Sequence, residues 1–99
     1  MIMAHLDDKN PANNKGHTPL HEAASDGHVG VCQLIFDHCD DKNPADNEGL
    51  TPLHEAALNG HVDVCVLIIQ NVENKHPRDE EGMTPLDYAK LDNVKELFN

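Results

Sequence analysis

Aromatic side chains are almost missing from this chain of 99 residues: there is no tryptophan, and Phe36, Phe98 and Tyr88 are the whole complement. A core must therefore be built from Leu, Ile, Val and Ala. Basic residues are also scarce, 7 against 18 acidic ones, for a formal net charge of -11. Such a field repels phosphate backbones, which argues against nucleic acids and anionic membrane surfaces as partners and favours a basic protein surface. The same acidity also serves solubility. The three cysteines, Cys32, Cys39 and Cys65, are odd in number and too few for a disulfide framework. They are expected to be free thiols in a reducing, cytoplasmic compartment. No apolar run approaches the ~18 residues of a membrane helix, and residues 1–6 lack the basic start and apolar length of a secretory signal. Glycine-rich phosphate loops and a Gly-x-Ser-x-Gly elbow are absent, and Ser25 is the single serine, so no enzyme is expected.

What is there is a composition of 38% hydrophobic and 25% charged residues, suited to one folded domain, and above all a repeat. Thr18-Pro19-Leu20-His21-Glu22-Ala23-Ala24 recurs as Thr51-Pro52-Leu53-His54-Glu55-Ala56-Ala57, and in altered form as Thr84-Pro85-Leu86-Asp87-Tyr88-Ala89-Lys90, at a period of 33 residues. Gly16, Gly49 and Gly82 keep that period two residues before each threonine, and Gly27-His28 recurs as Gly60-His61. Thr before Pro opens a helix, because the hydroxyl caps a free N–H and Pro suits the first helical position. Gly27 and Gly60 read as helix ends. A second helix is predicted over 29–38 and 62–71, with Val31, Leu34, Ile35 and Val64, Leu67, Ile68 at i, i+3, i+4 spacing. The run from Val64 to Ile69 would pass for a buried strand by propensity, but the repeat context decides for helix.

A 33-residue period with Thr-Pro-Leu-His-x-Ala-Ala and Gly-His resembles the ankyrin repeat over essentially the whole chain. The resemblance implies an all-α solenoid of helix-turn-helix units with projecting β-turns, here at 13–17, 46–50 and 79–83. The expected division is the end of a preceding unit over 1–12, repeats over 13–45 and 46–78, and a shortened C-terminal cap over 79–99. Residues Asp8-Lys9-Asn10-Pro11 match Asp41-Lys42-Asn43-Pro44, Ile2 matches Ile35 and His5 matches His38. The chain thus reads as a piece of a longer array, or one opening on a half unit, with its first apolar edge poorly covered and weak end-to-end association as the consequence. Cys39 and Val72 stand where the family usually has Gly after the second helix, so a different exit path is expected there. The third unit is three residues short between its helices.

Eight His and three Cys raise the question of a metal. The best sets, His21, His28, Cys32 and His54, His61, Cys65, match no common zinc spacing. In the resemblance, His21 and His54 bond backbone between units, and His28 and His61 serve turns. No metal or cofactor is expected. The resemblance implies a protein partner on the turn tips and the exposed side of the first helices. Mapped onto this sequence, those positions are Asn14, Lys15, His17, Ser25 and Asp26, then Asn47, Glu48, Leu50, Leu58 and Asn59, then Glu80, Glu81, Met83, Leu91 and Asp92. Leu50, Leu58, Met83 and Leu91 are the apolar members, and Glu48, Glu80, Glu81 and Asp92 the acidic rim, which suits a basic–hydrophobic partner segment. For Leu58 and Leu91 a packing role between units is an equal alternative. The competing function is a self-associating structural spacer.

Overall fold

The computed structural model describes residues 11–98. Each unit begins with a hairpin closed by backbone hydrogen bonds: Asn13 N–H to His17 O, Asp46 N–H to Leu50 O and Asp79 N–H to Met83 O, each 2.8–2.9 Å. These are the turns expected at 13–17, 46–50 and 79–83. Neighbouring hairpins are tied edge to edge, Asn47 N–H to Lys15 O at 2.8 Å and Glu80 N–H to Glu48 O at 2.9 Å.

Helices follow in pairs. They are α1 (Pro19–Asp26) with α2 (Val29–Phe36), α3 (Pro52–Asn59) with α4 (Val62–Asn71), and α5 (Pro85–Tyr88) with α6 (Asp92–Lys95), the last continued by a 3-10 turn over Glu96–Phe98. The first helices α1, α3 and α5 pack in one row and the second helices α2, α4 and α6 in another. With the hairpin ribbon this makes a layered solenoid that is helical throughout the described residues, which contain no strand and no helix long and apolar enough to cross a membrane.

The starts of the first helices come from one device. Thr18 Oγ1 accepts from His21 N–H at 3.2 Å while Thr18 N–H donates to His21 Nδ1 at 3.1 Å. Thr51 and His54 repeat the exchange at 3.3 and 3.1 Å, and Thr84 with Asp87 does so at 3.4 and 2.9 Å. Each such cap stabilises its helix by about 1 kcal/mol. Gly27 and Gly60 end α1 and α3 at φ 79° and 77°, where a side chain would be strained. They also leave room for the next unit: a Cβ on Gly27 would stand 2.6 Å from the His61 ring, and one on Gly60 2.7 Å from Leu91 Cδ1.

Between the rows lies an aliphatic core of Leu20, Ala24, Leu53, Ala56, Ala57, Val64, Ile68 and Val94 with Cys32 and Cys65, all 0% exposed. Alanines at the helix contacts let α1 and α3 approach closely, as the repeated Ala-Ala implied.

Two local expectations need correction, and a third is met. Helix α2 stops at Phe36, not at residue 38: His38 N–H turns to Ile35 O at 3.0 Å in place of the i−4 carbonyl, and Lys42 Nζ covers the carbonyls left at the end, Phe36 O at 2.7 Å and Cys39 O at 2.5 Å. The exit after α4 is the altered one expected at Val72: the helix runs to Asn71 as read from the sequence, and Val72 is extended at φ -128°. In the third unit the missing residues fall in the helix itself, since α5 has 4 residues where α1 and α3 have 8.

The helical spacing of Val31, Leu34 and Ile35 likewise does not bury all three. Ile35 is buried, whereas Val31 is 47% and Leu34 60% exposed; their counterpart Val64 is 0% exposed. Helix α4 has α2 beside it, and among the described residues nothing occupies the equivalent place beside α2. The matches expected at Ile2, His5 and 8–10 lie outside the described residues.

Candidate functional site

The hairpin ends and the exposed sides of α3 and α5 frame a row of hollows. Between the first two hairpins lies a cleft of about 510 Å³ lined by Asn13, Lys15, His17, Asp46, Asn47, Glu48, Leu50 and Glu55. A shallower hollow of about 150 Å³ follows against the third hairpin, with Glu48, Leu50, Asp79, Glu80, Glu81 and Tyr88. Beside it a pocket of about 70 Å³, almost wholly apolar, is enclosed by Leu50, His54, Glu55, Leu58 and Tyr88. Leu50 is a wall of all three.

The histidines that carry the repeat motif fix this frame. His21 accepts the Thr18 N–H at Nδ1, so its proton is on Nε2, which donates to Leu50 O in the next unit at 2.8 Å. Burial holds the His21 imidazole below its ordinary pKa of 6.5. His54 Nε2 reaches Met83 O in the same way at 2.9 Å, and His61 Nε2 reaches Ser25 O at 2.9 Å. The first two contacts are the inter-unit role implied for His21 and His54. His61 bonds across units as well, rather than within its own turn.

Two carboxylates in the frame behave differently. Asp46 Oδ1 accepts Glu48 N–H at 2.8 Å and Leu50 N–H at 3.0 Å, pinning the second hairpin. Glu55, one helical position on from His54, is half-buried, and its carboxylate makes no hydrogen bond or ion pair among the described residues, while its backbone N–H goes to Thr51 O at 3.2 Å. Burial raises its pKa above the ordinary 4.5, with Asp46 and Glu22 adding to the rise and His17 opposing it. His17 lies 3.4 Å from Glu22 Oε1 and 4.0 Å from Asp46 Oδ2, and its ring stacks on His21 at 4.6 Å. In the third unit Tyr88 takes the position of Glu22 and Glu55. Its hydroxyl donates to Asp79 Oδ2, which raises the Tyr88 phenol to about 12 and lowers the Asp79 carboxyl.

The nearest approach to a metal cluster among the described residues is His17, His21 and Asp46, with ligand atoms within 4.8 Å of one another. Both ring nitrogens of His21 are already committed to the cap and to Leu50 O, so it offers no lone pair. Burial also keeps Cys32 and Cys65 protonated, their thiols raised to about 11 and about 12. Of the sets read from the sequence as metal candidates, His21, His54 and His61 bond across units and Cys32 and Cys65 are buried, while His28 is exposed.

The surface positions expected from the sequence divide into two groups. Lys15, His17, Asn47, Glu48, Leu50, Leu58, Glu80 and Glu81 line the clefts. Met83 is half-buried and gives its carbonyl to His54. Ser25 and Asn59 spend polar groups on each other across the unit boundary, Asn59 Nδ2 to Ser25 O at 3.2 Å and to Ser25 Oγ at 3.1 Å. Asn47 Nδ2 likewise bonds Asn14 O at 3.0 Å. Asp26 and Asp92 are exposed at helix ends. Leu91, 49% exposed, covers Gly60 from the N-cap of α6, the place His61 takes over Gly27. The sequence reading did not single out Asn13, Asp46, Glu55 or Tyr88. The signal for Tyr88 was available, as the one break in a repeated Glu.

Comparison with curated proteins gives no match. The sequence profile of the family described as ankyrin repeats (3 copies) matches residues 1–77 and 40–99. Ankyrin repeats are generally protein–protein interaction modules and typically not enzymes. With capped helix pairs, bonded hairpins and that match over its length, the chain belongs to the ankyrin-repeat family.

Proposed function

We propose that this protein binds a basic–hydrophobic segment of another protein along its hairpin ends and first helices, in a reducing compartment of the cell. The observation that carries the reading is the run of three adjoining hollows that share Leu50 as a wall and are bordered by Asp46, Glu48, Glu55, Glu80 and Glu81. An apolar strip with acidic borders gains by taking apolar side chains out of water and by pairing with cations. The repeat boundaries we assign are 13–45, 46–78 and 79–99, with the site spread over all three.

Affinity capture from a cell lysate tests this with the parent and a Leu50→Ala, Met83→Ala variant whose circular dichroism is unchanged. A protein held by the parent is expected to be lost with the variant. Equal capture by both would sink the assignment of this face.

A second reading rests on the exposed Val29, Val31 and Leu34 of α2. That face would take another repeat, from a longer array or a second copy, making the protein a spacer. Sedimentation across a hundredfold range of concentration separates the readings: a mass that rises with concentration favours the spacer, a constant monomer mass the binding module.

A further inference from the structure

We infer that the site reads two nearby side chains of its partner segment, a cationic one against Glu55 and Asp46 and a branched aliphatic one in the pocket of Leu50, Leu58 and Tyr88, spaced two or three residues apart. This rests on the interaction reading above and gives it a pattern.

The aliphatic preference follows from size and lining. The pocket holds about 70 Å³ and is almost entirely apolar, whereas a cavity that accepts a benzene ring measures ~150 Å³. A Leu, Ile or Val side chain seats more of its surface in this open pocket than an aromatic ring, which would stand further out of it.

The cationic preference follows from Glu55. Its carboxylate is half-buried with no partner among the described residues. The cleft it faces also holds Asp46 and Glu48, with Lys15 as the single cation in the lining. A half-desolvated carboxylate among like charges is at a disadvantage until a cation reaches it. A Lys or Arg of the partner would supply one, its aliphatic stem lying on Leu50. Burial already holds the Glu55 carboxyl up. Acidification would therefore protonate Glu55 early, among the facing groups His17, Asp46 and Glu22, which weakens the pull on a cation, so affinity falls as pH falls.

The spacing follows from shared walls. Leu50 and Glu55 line both the large cleft and the small pocket, so the two centres are about one side-chain width apart. Residues two apart in an extended strand are separated by ~6.6 Å, and residues three apart in a polyproline helix by ~9 Å.

The test is selection from a synthetic library of random heptapeptides, followed by fluorescence titration of the selected peptides. They are expected to carry Arg or Lys two or three residues from Leu, Ile or Val. Glu55→Gln is expected to weaken them about tenfold, the scale of a lost charge-assisted hydrogen bond, and to erase the cationic preference alone. Leu58→Ala is expected to relax the aliphatic preference alone. Neither side chain is fully buried, so both variants remain folded, which circular dichroism checks. Peptides selected without a cation, or a Glu55→Gln variant that binds and selects like the parent, would overturn the pattern and leave the interaction reading standing. Selection of no peptide would overturn both.

Discussion

The imidazole of His21 closes the cap of α1 with one nitrogen and holds the second hairpin with the other. Truncation to Ala leaves the Thr18 and Leu50 backbone groups unpaired in a buried place, and is expected to cost about 2–4 kcal/mol in urea unfolding. The pH dependence has a definite sign. His21 titrates lower in the folded chain than its ordinary 6.5, so the unfolded chain binds the proton more readily. The stability that His21 contributes is whole above about 6.5 and is lost as pH falls through that value towards the folded pKa. The urea midpoint should drop between pH 7 and pH 5, and more steeply in the parent than in His21→Gln. Glu55 acts the opposite way in a lower window, since its folded pKa lies above 4.5. Its ionisation costs stability as pH rises through that region, so Glu55→Gln is expected to unfold at a slightly higher temperature than the parent at pH 7. The role of His21 was legible in the sequence because Thr-Pro-Leu-His repeats. That of Glu55 was not: it repeats as well, against Glu22, and only Asp46 of its own hairpin and His17 of the preceding unit make its setting different.

Helix boundaries followed the local chemistry wherever that chemistry was itself local. Thr-Pro starts and Gly ends for α1 and α3 are encoded within a few residues, and the structure has them where the sequence put them. The end of α2 is closed by His38 N–H on Ile35 O and covered by Lys42, six residues past Phe36 and reaching back to its carbonyl, which no helical periodicity reveals. Two glycines near interhelix turns of different units offer a contrast at this scale. Gly60→Ala forces a side chain into a left-handed conformation and against Leu91, and is expected to destabilise by about 2 kcal/mol. Gly30 lies in the first turn of α2 with nothing within 4 Å of an added Cβ, so Gly30→Ala is expected to stabilise by roughly 0.5 kcal/mol. Thermal unfolding of the pair checks both signs.

Across the whole molecule the burial of a residue depends on which unit it stands in. Val31 and Val64 share a register, yet one is 47% exposed and the other fully buried. Val31→Lys is expected to shift stability by no more than about 0.5 kcal/mol, whereas Val64→Lys places an unpaired charge in the core and should cost more than about 3 kcal/mol. Denaturant titration of the two variants would refute the open face of α2 if their losses were equal. The period itself gave the architecture from the sequence, because 33-residue identity at Thr, Pro, Gly and His is hard to produce any other way. The clefts were only partly visible there: they form between units, so the residues that line one come from hairpins a full period apart. The ribbon of hairpins has a mechanical side. Each tip is bonded to the next through one backbone amide, Asn47 to Lys15 and Glu80 to Glu48, so the ribbon has two joints between its three hairpins. A segment lying along Leu50 crosses both of them. It would act as a splint, and the array would be stiffer when occupied than when empty.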